Sequence, residues 1–144
     1  MKRLIAAIAV PAAIATALVT GASTASAAAC GGTSGVTVVV DFGSLPGGVV
    51  TNCAPGDPTS GLSALTGAGF SYAFVPRTPG FVCQINVKPN PCNGGPISAY
   101  WSYWHGTPGG SWTYSSSGAG GYNPAPGTVD GWRFGSGQAP STGP

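Results

Sequence analysis

Trp101, Tyr103 and His105 alternate along "YWSYWHG" (Tyr100 to Gly106), and an extended chain sends alternate side chains to the same face. Two large rings beside the chain's single histidine can stack on an apolar ligand or a sugar ring, because neither contact needs a charge. His105 is also the one histidine that could join Asp130 and a serine in a nucleophilic relay. Other signs of catalysis are missing. No serine stands in a Gly-x-Ser-x-Gly turn. With no Glu, only Asp41, Asp57 and Asp130 are eligible as paired carboxylates, and the Gly runs lack the Lys-Ser or Lys-Thr of a phosphate loop. The expectation is a non-catalytic module with Trp101, Tyr103 and His105 as its ligand-binding residues.

Cys30, Cys53, Cys83 and Cys92 contain no Cys-x-x-Cys spacing, which disfavours a redox or zinc role; neither a metal nor a cofactor is expected. In a small exported domain four cysteines read as two disulfides. Of the three pairings, Cys30 with Cys53 and Cys83 with Cys92 are chosen, since each pair brackets one hairpin or loop.

The ends of the chain name the compartment. Lys2 and Arg3, the apolar run Leu4 to Val19 and the small residues ending in Ala25-Ser26-Ala27 have the three-part plan of a signal peptide over residues 1–27. The run is shorter than the roughly 20 residues a spanning helix needs, and no later stretch is apolar for long enough, so a secreted domain over residues 28–135 is expected. The lesser alternative is a lipid anchor on Cys30. Residues 136–144 are Gly, Ser, Pro, Thr, Gln and Ala, and a disordered tail is expected there. After export, Arg77, Lys88 and Arg133 balance Asp41, Asp57 and Asp130. Three scattered cations cannot displace phosphate counterions, which excludes nucleic acid as a partner.

These residues need a scaffold. "VTVVVDF" places Val36, Val38, Val40 and Phe42 on one face and Thr37, Val39 and Asp41 on the other, and "VVTNC" returns beside it. Asp57-Pro58 opens a short helix with Leu62, Leu65 and Ala68 or Phe70 as its buried stripe. "FSYAFV" and "FVCQINV" follow as strands around a Pro79-Gly80 turn, with Phe81, Cys83, Ile85 and Val87 inward. Ala99 to His105 and Ser111 to Ser115 form a hairpin around Gly106 to Gly110, which sets His105 opposite Ser111 and Trp104 opposite Trp112. Tyr100, Trp104, Trp112 and Tyr114 then share the core face. The opposite stripe either meets a ligand or is covered by the Gly118 to Gly127 loop or the last strand, "TVDGWRF". The fold class is α+β, a single disulfide-stapled domain with a mixed or antiparallel sheet of about five to seven strands and one short helix.

The strand Val38 to Phe42, the helix and turn Leu62 to Phe70, the "Tyr-Trp" hairpin Tyr100 to Trp104 and the last strand Val129 to Phe134 together resemble exported β-grasp-like domains related to the C-terminal domain of transcobalamin. The ending "GTVDGWRFG" also resembles that of small uncharacterised secreted bacterial proteins. The resemblance implies binding of a corrinoid-like small molecule; the Trp101, Tyr103 and His105 stripe would equally suit another apolar small molecule or a glycan. The alternative is a structural or protein-interaction module with a partner in the cell envelope.

Overall fold

The first strand, β1 (Val36–Asp41), is buried along its whole length, which requires a layer on each side of the sheet. The structure is a computed structural model that describes residues 28–144; the expected signal peptide lies outside the described residues. Val36, Val38, Val40 and Phe42 join the main core, while Thr37, Val39 and Asp41 are buried beneath the opposite layer. β2 (Val49–Ala54) returns antiparallel and sets Cys53 opposite Thr37. The Thr37 Oγ1 accepts from the Cys30 N–H at 2.9 Å, and Cys30 closes a disulfide on Cys53. That bond takes the sulfur a lipid anchor at Cys30 would need, so the anchor reading is overturned.

The helix α1 (Gly61–Gly67) starts at Ser60, not at Asp57 as expected. The Ser60 hydroxyl accepts from the Ser63 N–H at 3.0 Å, and the Ser63 hydroxyl accepts from the Ser60 N–H at 2.9 Å. This reciprocal pair satisfies two donors that a helix start leaves open, which Asp57 stands too early to do. Ala64 and Leu65 are fully buried against the first hairpin, and Ala68 and Phe70 complete the stripe.

β3 (Tyr72–Val75) and β4 (Thr78–Ile85) form a separate two-stranded sheet. Val75 pairs with Thr78, so the turn is Pro76-Arg77 with Arg77 in the left-handed region, and not Pro79-Gly80. Register shifts at Phe74 upset the expected alternation. Val82, Cys83 and Ile85 are buried, whereas Phe81 and Val87 are exposed. Cys83 is bonded to Cys92.

β5 (Tyr100–Gly106), β6 (Thr113–Tyr114) and β7 (Val129–Gly135) complete the main sheet, with strand order β2-β1-β7-β5-β6. β7 runs parallel to β1 and antiparallel to β5. Among the described residues, seven strands, one helix between the first hairpin and the rest, and a central parallel pair give the α+β, β-grasp-like plan. Among the described residues no helix is long and apolar enough to cross a membrane.

Three expectations fail in this half of the chain. The hairpin pairs His105 with Thr113 and Trp104 with Tyr114, two residues further along than expected, because the turn is longer. The core face is also the other one: Trp101 and Tyr103 enter the main core, and Tyr100, Trp104 and Tyr114 face away from it. The tail is not disordered either. The Arg133 guanidinium donates to the Ala139 carbonyl at 2.9 Å, the Ser141 N–H donates to Asp41 Oδ2 at 2.8 Å, and Pro140 is buried. Backbone hydrogen bonds seat a segment whose side chains alone promised no packing, and the folded domain runs through residue 144.

Candidate functional site

β5 aims Trp101, Tyr103 and His105 at one face, as its alternation requires. That face meets the helix layer, so Trp101 is 4% exposed and Tyr103 is 7% exposed. Trp101 packs edge-on against Phe42 and Phe134 and donates its indole N–H to the Lys88 carbonyl at 3.0 Å. Tyr103 lies against Trp132 at 4.7 Å between ring centroids, and its hydroxyl donates to Asp130 Oδ2 at 2.6 Å. An open stacking stripe over all three residues is therefore corrected. Only the rims of Trp101 and Tyr103 reach a surface depression, because α1 and the loop through Ala119 and Tyr122 close over the rest.

His105 keeps partial access, with 18% of its side chain exposed. Tyr122 stacks on it at 3.6 Å and 19°. Its Nδ1 lies 3.4 Å from Asp130 Oδ1, and its Nε2 lies 2.8 Å from Ser115 Oγ. The structure thus does bring the histidine, an aspartate and a serine together. The Ser115 hydroxyl is 2.7 Å from the Ser117 carbonyl, to which it donates, and accepts from the Ser117 N–H at 3.2 Å. Asp130, 1% exposed, divides its carboxylate between Tyr103 and His105. A serine with its proton and lone pairs engaged in this way acts as a tie between β5 and the following loop. Burial, and then the Asp130 charge and hydrogen bond, push the Tyr103 phenol far above its ordinary value, so it remains a neutral donor.

Two depressions border this network. The first, about 130 Å³, lies between β4 and the β5–β6 edge. Trp101, Tyr103 and Trp132 line its floor, Phe81 and Tyr114 stand exposed at its mouth, and among the described residues no charged side chain borders it. The Tyr100 and Tyr114 hydroxyls are 3.0 Å apart, and this hydrogen bond, with burial and the Tyr100 charge, pushes the Tyr114 phenol up to about 12. The second, about 270 Å³, is shallower and is bordered by His105, Tyr122, Thr107, Ser111, Thr113 and Thr128. The three residues expected to bind one ligand are thereby divided between two places. Phe81 and Tyr114 were missed: a β-bulge turns Phe81 outward, and Tyr114 had been placed on a core face. Among the described residues no three His, Cys, Asp or Glu side chains converge as metal ligands.

The comparisons add one relation. No curated protein and no solved structure matches the chain, and no relation to transcobalamin emerges. Over residues 96–143, which hold β5, β6, β7 and the tail, the chain is similar to the SCO2322-like domain of a small uncharacterised bacterial family.

Proposed function

We propose that this is a secreted, non-catalytic domain that binds an uncharged ligand in the depression between β4 and β5. The supporting observation is the placement of rings there: Trp101, Tyr103 and Trp132 at the floor, and Phe81 and Tyr114 at an uncharged mouth. Such a lining receives apolar groups and sugar rings through their faces. A space of about 130 Å³ corresponds to about four waters of liquid volume, enough for one small ring or side group. A glycan would insert one residue; a corrinoid would lie across the mouth and insert an edge substituent. Secretion accords with two disulfides, which persist in oxidising compartments. The alternative, a structural or protein-interaction module of the cell envelope, draws on the opposite face of the sheet, where residues 138–144 lie as a bound peptide would.

The test is a titration of the labelled domain with cobalamin, soluble glucans and peptidoglycan fragments, followed by NMR shifts. One probe should move the Trp101 and Trp132 indole signals together with Phe81 and Tyr114. Phe81→Ala should then weaken it by about tenfold, the worth of one aromatic contact. Shifts confined to other surfaces, or silence with all three probe classes, would reject the reading.

A further inference from the structure

We infer that the sheet face opposite α1 is a groove for proline-bearing peptide, occupied here by the chain's own residues 138–144 and able to take a Gly/Pro/Ser/Thr-rich segment of another polypeptide in their place. The inference rests on neither the ring-lined depression nor its ligand, since it concerns the other side of the sheet.

The groove addresses the tail through the tail's backbone. Ser102 Oγ lies 3.4 Å from the Gln138 carbonyl, Arg133 donates to the Ala139 carbonyl at 2.9 Å and Trp112 Nε1 to the Thr142 carbonyl at 2.7 Å. The Gly109 N–H donates to the Pro144 carbonyl at 3.0 Å. Asp41 Oδ2 accepts from the Ser141 N–H at 2.8 Å. These contacts engage backbone groups and no particular side chain, so they are open to other sequences.

The prolines supply the selectivity. A Cβ on Gly131 would stand 3.0 Å from the Pro140 ring and 2.6 Å from the Trp112 ring, so the bare glycine makes the floor on which both rest. Gly106 does the same for Pro144, whose ring would lie 2.6 Å from an added Cβ. The Ser141 and Thr142 residues between them are exposed. An indole N–H aimed at a peptide carbonyl, with proline rings and the indole resting over the same bare glycines, is the chemistry by which aromatic-lined grooves hold proline-rich segments. The fixed φ of each proline lowers the entropy lost on docking.

A tethered occupant competes at an effective concentration of about 1 mM, so a free peptide meets a filled groove in the unmodified chain. The test uses the full chain with changes in the tail alone, Pro140→Gly with Ser141→Pro, which remove one proline contact and the N–H bound by Asp41. Tail amides should sharpen to those of free chain while β1, β5 and β7 amides stay in place. The peptide GQAPSTGP should then bind about tenfold more tightly than to the unmodified chain, restoring the Trp112 indole signal. Adding Trp112→Phe, or replacing both peptide prolines by alanine, should weaken binding by about tenfold. A tail that stays seated, a released groove that ignores the peptide, or equal binding of the proline-free peptide would each overturn the inference. Should the double change prevent folding, the competition is read in the unmodified chain: excess GQAPSTGP should speed hydrogen exchange at the Ser141 amide, and unchanged exchange would overturn the inference as well.

Discussion

Tyr103 and Asp130 are joined across β5 and β7 by a hydrogen bond of 2.6 Å, with the carboxylate 1% exposed. Buried from solvent, Asp130 has the phenol as its principal partner and His105, at 3.4 Å, as its secondary one. Replacing Tyr103 with Phe leaves the ring in place and removes the donor. The expected loss is about 1–3 kcal/mol of stability, the cost of leaving a buried acceptor short of a partner. Urea unfolding should show a lower midpoint at unchanged slope; an unchanged midpoint would mean that His105 suffices.

Gly61→Ala tests the contact between α1 and the same phenol. Alanine in place of glycine inside a helix ordinarily stabilises by about 0.5–1 kcal/mol. Here the new Cβ would overlap the Tyr103 hydroxyl and stand 3.1 Å from the Ala119 Cβ. Because Asp130 holds that hydroxyl, the ring cannot swing aside cheaply. The sign should reverse, with about 1–3 kcal/mol lost in the same unfolding assay.

Acid should loosen the tail. Burial alone would push the Asp41 carboxyl up, but the Ser141 and Gly43 N–H groups, the Ser141 hydroxyl and Arg133 outweigh it and hold the group below its ordinary value. A depressed folded value stabilises fully above the unfolded value of about 3.9 and is lost as pH falls through the folded one. Unfolding midpoints should therefore drop below about pH 4, with the Ser141 amide losing protection first. Asp41→Asn should be less stable at pH 7 and should flatten the acid limb.

The two disulfides should contribute unequally. Cys30 and Cys53 are 23 residues apart and Cys83 and Cys92 are 9 apart. Chain-entropy reasoning gives about 3.4 and about 2.6 kcal/mol respectively. Paired Cys→Ala variants, compared by urea midpoint, should rank in that order. The Cys30 pair also orders the Thr37 contact at the start of β1, which should widen the difference.

Much of the scaffold is legible locally. The Val36 to Phe42 alternation and the helix are written in short stretches where one physical pattern dominates, while the cysteine pairing, one of three possible, is settled by the fold. The helix start is displaced because Asp57-Pro58 and Ser60-Ser63 are both good starts, and the reciprocal pair prevails. Phe81 is misplaced because a bulge in β3–β4 leaves no mark on hydrophobic alternation. The candidate site is less legible: Ser115, Tyr122 and Phe81 come from three separate loops and strands, and no spacing connects them.

By itself the sequence determined the α+β class, that four cysteines form two disulfides, and which residues of β5 share a face. Only the tertiary structure decided which of those faces is the core, since rings stand on both and alternation is blind to the layer that packs against it. It also decided the fate of residues 136–144. A segment with few packing side chains is ordered by carbonyls and N–H groups that Trp112, Arg133 and Asp41 meet, and those partners converge only once β1, β5 and β7 lie side by side.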